Sequence, residues 1–343
     1  MKKAQPNQFT ILGLGSIGKR HSEFVASLDG EIICIDPNED ARKWCANNID
    51  KAHVFSNLQE ASKIISNFKG KKIGIISNWG TLHYSSALEL IELGVLNLYI
   101  EKPIVNSLLA IDSLLNLNGE IKLIGGFQNR YTNIDNVIKE VSRSRLGGKP
   151  SMISVNGGAA GIVTNGIHYL DLAISIFGSP PDSVISNLSS SNINPRSQYL
   201  DFWEGSASWN FPGGRMLVIN FTNLSSVKAS TEIFCPVGKI KLNEDMSINI
   251  FERDQDEIKA DNRIIRLGVA KQITQVHYRP ENNNLFTRIF DPFFDDSLEV
   301  DMGRELDATK AMIYALASNK IGKKLFLETK LDKELYEFEW QIS

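Results

Sequence analysis

Three clusters in this chain combine residue types and spacings that could do chemistry. Gly13, Gly15 and Gly18 make G-x-G-x-x-G. Glycines so spaced let a pyrophosphate reach main-chain N–H groups, and a helix starting behind them adds partial positive charge. Asp36 lies about 20 residues further on, where a carboxylate accepts hydrogen bonds from ribose hydroxyls and repels a 2′-phosphate. Glu101-Lys102-Pro103 offers an amine whose pKa would fall on burial or beside a second positive charge, which eases proton transfer. His168 and Asp171 stand one helical turn apart, so the carboxylate could orient an imidazole that accepts protons near pH 7. Each cluster also has a plainer reading. Asp36 could cap the helix after Pro37, and Lys102 could pair with Glu101 or another surface carboxylate. His168 and Asp171 could be the polar face of a capped helix at a domain boundary. For Lys102 and for His168 with Asp171, spacing alone favours the plainer reading.

The elements that must position these residues are written in the apolar pattern. Phe9 to Leu12 reads as a buried strand, and Phe24, Val25 and Leu28 share a helical face beyond Gly18. Strand, glycine turn and helix in that order are the context a dinucleotide fingerprint requires. Gly13 would permit the tight turn, Gly15 the approach of a pyrophosphate, and Gly18 close packing of helix on strand. Glu31 to Ile35 is a second strand ending at Asp36. NAD is therefore expected rather than NADP, held through Gly13, Gly15, Ser16, Ile17, Gly18 and Asp36. Arg42 and Lys43 are expected to be carried away from the ribose by their helix.

The first third continues to alternate strand and helix. A helix through Ala41, Trp44 and Cys45 precedes a short strand, His53 to Phe55, and Ser56-Asn57 could cap the helix from Leu58 to Ile65. Strands follow at 72–77, 96–100 and 121–124. Helices are expected over 81–93, closed by Gly94, and over 107–117. This pattern predicts a doubly wound parallel sheet. Ligands of such sheets sit outside the carboxyl ends of the strands, which here carry Gly13-Leu14-Gly15, Asp36, Ser77-Asn78-Trp79 and Glu101-Lys102-Pro103. Ser77, Asn78, Trp79, His83, Glu101 and Lys102 join the expected cofactor residues. The pattern changes after Gly125-Gly126. A helix is expected over 133–144, and period-two strands dominate beyond Pro150, including a hairpin from Ser206 to Phe221 turning at Pro212-Gly213-Gly214. Further strands are expected at 233–235, 239–242 and 247–250. One helix, 164–177, interrupts them, and another near the end uses Leu306, Ala311, Met312, Ala315 and Leu316. Residues 272–292 read as a long polar loop with several aromatics.

Bulk properties limit the classes of function. The chain has 343 residues with 42% hydrophobic and 22% charged, which suits two soluble domains, expected at 1–126 and 127–343. A formal net charge of −3 gives no electrostatic footprint for nucleic acid or an anionic membrane. Cys34, Cys45 and Cys235 form no C-x-x-C and are expected as buried free thiols in a reducing compartment. Met1-Lys2-Lys3 resembles the start of a signal peptide, but the apolar stretch behind it is short and runs into the glycine turn. No segment approaches the length of a membrane span, and a cytoplasmic location is expected. No metal site is expected.

The chain resembles the Gfo/Idh/MocA oxidoreductases, a family that includes glucose-fructose oxidoreductase and inositol dehydrogenase. Four features carry the resemblance in order: Gly13-Leu14-Gly15-Ser16-Ile17-Gly18; the helix from His83 to Gly94 leading into Glu101-Lys102-Pro103; Gly126-Phe127-Gln128-Asn129-Arg130-Tyr131; and Gly166-Ile167-His168-Tyr169-Leu170-Asp171. They span the first half of the chain. The resemblance implies a Rossmann domain followed by an α+β domain with a large, mostly antiparallel open sheet, through which a homodimer or homotetramer is expected. It also implies that Lys102 and His168 are catalytic and face the substrate beside the nicotinamide, reversing both plainer readings. Arg130, Thr164, Asn165 and Asp171 would help bind that substrate. Two departures stand out. Asn78-Trp79-Gly80 occupies the place of the family's common Thr-Pro-Asn, and Thr164 stands where many of its dehydrogenases carry an aspartate. Threonine does not titrate near neutrality, so the Lys-Asp-His set of the polyol dehydrogenases is incomplete. Members with small polar residues there resemble enzymes acting on sugars or nucleotide sugars. The expected reaction is hydride transfer between NAD and a secondary alcohol of a sugar, sugar acid or nucleotide sugar. The alternatives are an NAD-using glycoside hydrolase and a non-catalytic dinucleotide-binding sensor.

Overall fold

The computed structural model describes residues 6–158, 160–191, 200–243, 247–260, 268–276 and 285–342. Packing divides the chain into two units: Met1–Gly126 with Phe286–Thr309 and Tyr336–Ser343, and Phe127–Leu285 with Lys310–Leu335. Specific bonds explain why two late segments go with the first unit. Glu305 accepts from the amide of Gly125 at 2.7 Å, Thr309 from that of Ile104 at 3.2 Å, and the main chains of Trp340 and Asn106 meet at 3.0 Å.

In the first unit, β1 (Asn7–Leu12), β2 (Glu31–Ile35), β3 (His53–Phe55), β4 (Lys71–Ile76), β5 (Asn97–Ile100) and β6 (Lys122–Gly125) form one sheet, ordered β3-β2-β1-β4-β5-β6. All of its pairings are parallel. Phe9, Ile11, Ile33, Ile73 and Ile75 are fully buried, as strands covered on both faces require. The connections are α1 (Ser16–Ala26), α2 (Glu39–Asn48), α3 (Leu58–Asn67), α4 (His83–Glu92) and α5 (Leu108–Leu115). This is the doubly wound sheet that the alternation predicted. The expected 81–93 helix begins as a separate tight turn, Gly80–Leu82. Strand order reverses direction between β1 and β4, and the carboxyl ends at that switch carry Gly13 and Ser77-Asn78-Trp79.

Among its described residues the second unit is organised by nine strands: β7 (Met152–Gly157), β8 (Ser183–Ser191), β9 (Phe202–Phe211), β10 (Arg215–Phe221), β11 (Ser230–Cys235), β12 (Gly238–Leu242), β13 (Ile248–Arg253), β14 (Ala270–Val276) and β15 (Leu325–Phe326). Their order is β14-β13-β12-β11-β7-β10-β9-β8-β15. Among the described residues β7 and β10 pair in parallel and the other neighbours antiparallel. Ala207, Trp209 and Phe211 of β9 and Leu217, Ile219 and Phe221 of β10 are buried, while the residues between them are partly exposed. That alternation gives the sheet one core face and one outer face. The helices of this half of the sequence are α6 (Ile134–Arg145), α7 (Ile167–Phe177), α8 (Gln255–Ala260), α9 (Leu285–Phe294), α10 (Met302–Ile321) and α11 (Lys333–Glu337). The later half of α10 is tied to this sheet: Trp209 Nε1 donates to Ala311 O at 3.1 Å, and Asn319 Oδ1 accepts from Leu188 N at 2.7 Å.

Two expectations need correction. The loop read at 272–292 is structured at both ends, with β14 running to Val276 and α9 starting at Leu285; 277–284 lie outside the described residues. β14 is an edge strand rich in polar residues, Lys271, Gln272, Thr274 and Gln275, so it lacks the apolar alternation that marks a strand. In α9 the spacing of Phe286, Ile289, Phe290 and Phe293 is helical but is masked by Pro292 within the helix. The helix expected at 164–177 starts at Ile167, behind a wide π turn over Ile162–Gly166. Cys34, Cys45 and Cys235 are buried free thiols, as expected.

Candidate functional site

The first unit holds a cradle made largely of backbone. Gly13 turns the chain out of β1 with φ of 90°, a value that glycine adopts without strain. A Cβ on Gly18 would overlap Gly13 O, so α1 can begin against the turn only without a side chain there. A Cβ on Gly15 would meet nothing within 4 Å, and Gly15 and Ser16 are exposed while Ile17 is half-buried. Ser77 Oγ donates to Gly13 O at 2.9 Å and fixes β4 to the turn. No side chain caps α1, and its first turn holds no acid. By contrast Asn38, Asn57 and Ser107 cap α2, α3 and α5. The free amides of α1 thus open onto the space beside Gly15, which is what an anionic pyrophosphate needs.

Asp36 is bound into the same turn. Its Oδ2 accepts from Leu14 N at 2.6 Å and its Oδ1 from Asn38 N at 2.8 Å, with the residue half-exposed. The capping alternative is corrected: Asn38 caps α2 by accepting from Ala41 N. The expectation for Arg42 is corrected too. Its side chain curls back, and Nη1 donates to the carbonyl oxygens of Asp36 and Pro37 at 2.8 Å each. At the end of β4, Asn78 Nδ2 donates to Ser86 Oγ at 2.9 Å, while its Oδ1 is buried and has no partner among the described residues. Trp79 beside it is 48% exposed. An open glycine, an uncapped helix, a carboxylate at the end of β2 and an unused acceptor fit the diphosphate, ribose and carboxamide of a nicotinamide dinucleotide.

His83 and Glu101 hold this edge together. His83 is buried, with Nδ1 2.8 Å from Pro103 O and Nε2 3.2 Å from Asn78 O. Burial lowers its pKa, against the pull of those two carbonyls, so the ring is neutral. His83 therefore lies between the Asn78 and Pro103 segments, with one N–H to give to either carbonyl. Glu101 Oε1 accepts from Tyr99 OH at 2.8 Å and lies 3.2 Å from His21 Nε2. Burial pushes its carboxyl pKa up, but the His21 bond and charge, the Tyr99 hydroxyl and the Lys102 charge outweigh burial and bring it down to about 2. His21 is itself enclosed by the rings of Tyr99, Phe286 and Phe290. Lys102 follows, half-buried.

The second unit contains a cavity of about 470 Å³ lined by His168, Asn165, Gln128, Asn129, Tyr169 and Lys228 among others. Its volume falls within the ~300–1,000 Å³ of small-molecule sites. His168 lies in the first turn of α7, where its ring meets that of Phe127 edge to face at 6.4 Å. Arg130 places its guanidinium over the Phe127 ring, 4.8 Å from its centroid, and grips Asp171: Nη2 to Oδ1 is 2.7 Å, and Nε reaches Oδ1 and Oδ2 at 3.0 and 3.1 Å. Asp171 is 1% exposed, so this pair ties the turn after Phe127 to α7 beneath His168. Ser175 Oγ donates to Asp135 Oδ2 at 2.6 Å and joins α7 to α6. Asn165 is exposed and donates to Ala160 O, whereas Thr164 is buried in the π turn and is not among the cavity's lining residues.

Several residues were not singled out by sequence. Gln128 and Asn129 lay within a quoted motif without a role. His21 was visible behind the glycines, but nothing local connects it with Glu101. Lys228 carries no sequence signal at all. Among the described residues no group of His, Cys, Asp and Glu is placed to hold a metal, and no helix is long and apolar enough to cross a membrane.

No family model and no curated protein matches the chain in sequence. Solved structures do match in fold. An NAD-binding protein from Listeria innocua superposes with a TM-score of 0.73 at 13% identity, over 97% of this chain and 99% of that one. The WlbA dehydrogenase from Bordetella pertussis, in complex with NADH and UDP-GlcNAcA, gives 0.66 at 19% identity, over 96% and 100%. An apo scyllo-inositol dehydrogenase from Lactobacillus casei gives 0.67 at 14%, over 96% and 100%. The chain shares its fold with these proteins. Both units are covered, so the likeness extends through the nine-stranded sheet as well as the glycine cradle.

Proposed function

We propose that the protein is an NAD-dependent oxidoreductase acting on a secondary alcohol of a sugar, sugar acid or nucleotide sugar. The observation that carries this reading is the uncapped start of α1 beside open Gly15, with Asp36 hydrogen-bonded into the same turn. WlbA dehydrogenases in complex with NADH and UDP-GlcNAcA among the structural neighbours support it. Bound NAD supplies the hydride acceptor, and NADH the donor in reverse. The α1 amides and Ser16 hold the diphosphate, Asp36 the adenosine ribose, and Asn78 and Trp79 the nicotinamide end. His168 accepts the proton of the reacting hydroxyl, and Lys102 stabilises the negative charge that develops on its oxygen. Asn165 hydrogen-bonds substrate hydroxyls. Arg130 and Asp171, bound to each other, position the turn that carries His168, and His83 and Glu101 do the same for Lys102. The outer face of the nine-stranded sheet is the surface for self-association, which light scattering measures.

The test is cofactor reduction across a panel of sugars, sugar acids and nucleotide sugars, followed by Lys102→Ala and His168→Ala. Both variants are expected to bind NAD as the parent does and to lose turnover. Full activity in both would remove this mechanism. Glycoside cleavage without net NADH would favour the hydrolase instead.

A further inference from the structure

His21 and Glu101 join two parts of the first unit that the proposed reaction uses for different purposes. His21 stands in the second turn of α1, about 7.5 Å along the helix axis from Ser16. It is fully buried, and its ring meets those of Tyr99 at 4.7 Å, Phe286 at 5.2 Å and Phe290 at 6.0 Å. Its Nε2 reaches the end of β5, 3.2 Å from Glu101 Oε1. Glu101, with its pKa brought down to about 2, is a carboxylate at neutral pH and can only accept, so Nε2 is the donor. Tyr99 OH gives the same oxygen a second donor at 2.8 Å. The other oxygen faces the main chain. Lys102 N lies 3.4 Å from Oε2, and a Cβ on Gly126 would come within 2.7 Å of it. The carboxylate is thus gripped by α1 and β5 through Oε1 and rests against the Lys102 amide through Oε2.

One helix therefore serves two ends. The first amides of α1 stand uncapped beside Gly15, and its second turn carries the imidazole that holds Glu101. Lys19 N donates to Gly15 O at 2.9 Å and Ser22 Oγ to Gly18 O at 2.8 Å, which binds those turns into one rigid piece. A charge-assisted hydrogen bond from such a piece fixes its acceptor more firmly than packing alone. We propose that His21 is a positioning residue: through the Glu101 carboxylate it ties the main chain of Lys102 to α1, so that the helix holding the cofactor diphosphate also sets where the lysine stands. The inference rests on the reading of α1 as holding the diphosphate and of Lys102 as meeting the substrate.

The test compares His21→Phe and His21→Gln with the parent by amide hydrogen exchange and by turnover of D-glucose, D-glucuronate and UDP-glucose with NAD. His21→Phe keeps a ring among Tyr99, Phe286 and Phe290 and deletes the donor. His21→Gln keeps a side-chain N–H and gives up the ring. In His21→Phe the amides of Glu101 and Lys102 are expected to exchange about 10-fold faster, the worth of a hydrogen bond to a charged group. Its kcat should fall by about 10- to 100-fold, with KM and the Kd for NAD within about threefold of the parent. His21→Gln should stay near the parent in exchange and in kcat. Tyr99→Phe deletes the other donor on Oε1, should move the same amides the same way, and stands in if His21→Phe does not fold. Parent-like exchange in His21→Phe, a His21→Gln as impaired as His21→Phe, or a Kd for NAD that rises as far as kcat falls would each overturn the proposal. Exchange decides it even where none of the three probes turns over. Faster exchange in His21→Phe beside a fully active Lys102→Ala would leave the positioning standing and remove the catalytic reading of Lys102. A fully active His21→Phe beside an inactive Lys102→Ala would do the opposite.

Discussion

The glycine cradle of the first unit and the His168 cavity of the second are built by different means. The cradle is backbone: a left-handed Gly13, an open Gly15, a Gly18 pressed on Gly13 O, and bare amides at the start of α1. Its parts lie within a few residues of one another, and Asp36 is the next strand's end. The cavity is side chains: Gln128 and Asn129 before α6, Asn165 and His168 around the start of α7, and Lys228 from a loop about sixty residues later. Backbone sites tolerate almost no added atoms but need few particular side chains. Side-chain sites depend on supports, such as the Arg130–Asp171 pair, that never touch a ligand.

Four substitutions bear on that contrast. The largest effect on cofactor binding is expected for Gly18→Ala, whose methyl would collide with Gly13 O. It should weaken NAD binding by about 100-fold or more and destabilise the first unit by ~1–3 kcal/mol. Calorimetric titration with NAD checks it, and unchanged affinity would mean that the cradle is not the cofactor site. Asp171→Ala should cost about 3–5 kcal/mol, because it strands a largely buried guanidinium. Thermal melts should register that loss, with turnover falling and NAD affinity preserved; weakened NAD binding would break the separation drawn above.

Glu101→Gln tests the edge that supports Lys102. A carboxyl with folded pKa of about 2, below its ordinary 4.5, contributes stability that is complete above pH 4.5 and is lost as pH falls towards 2. The variant should be less stable than the parent at neutral pH, and denaturation curves should converge as pH drops through that window. A gap that persists at pH 2 would assign the loss to packing instead. The smallest effect is expected for Asp36→Ser. NAD affinity should fall by about 10-fold, and NADP should gain, because Arg42 already lies against the Asp36 and Pro37 carbonyls. A variant that still strongly prefers NAD would take the ribose-binding role from Asp36.

Much of the first unit was legible because its signals are local. A strand, three glycines and a helix fall within about 20 residues, the reach of a single β-α-β turn. The resemblance brought Lys102 and His168 forward where spacing alone left them as ordinary surface residues. α9 was missed because Pro292 interrupts its aromatic pattern, and β14 because an edge strand need not alternate. Arg42 was misjudged because helical periodicity describes where a Cα points and says nothing of a long side chain folding back on the preceding turn.

The amino-acid sequence by itself determined the order of elements in the doubly wound first sheet and the glycine turn with its carboxylate, since these follow from hydrophobic period and from the freedom of glycine. Only the tertiary structure decided which distant groups meet. It gave Glu101 to His21, Arg130 to Asp171, and Lys228 to the cavity of His168. Those pairings are set by how sheets and loops pack, and packing is a property of the whole chain that no local spacing records.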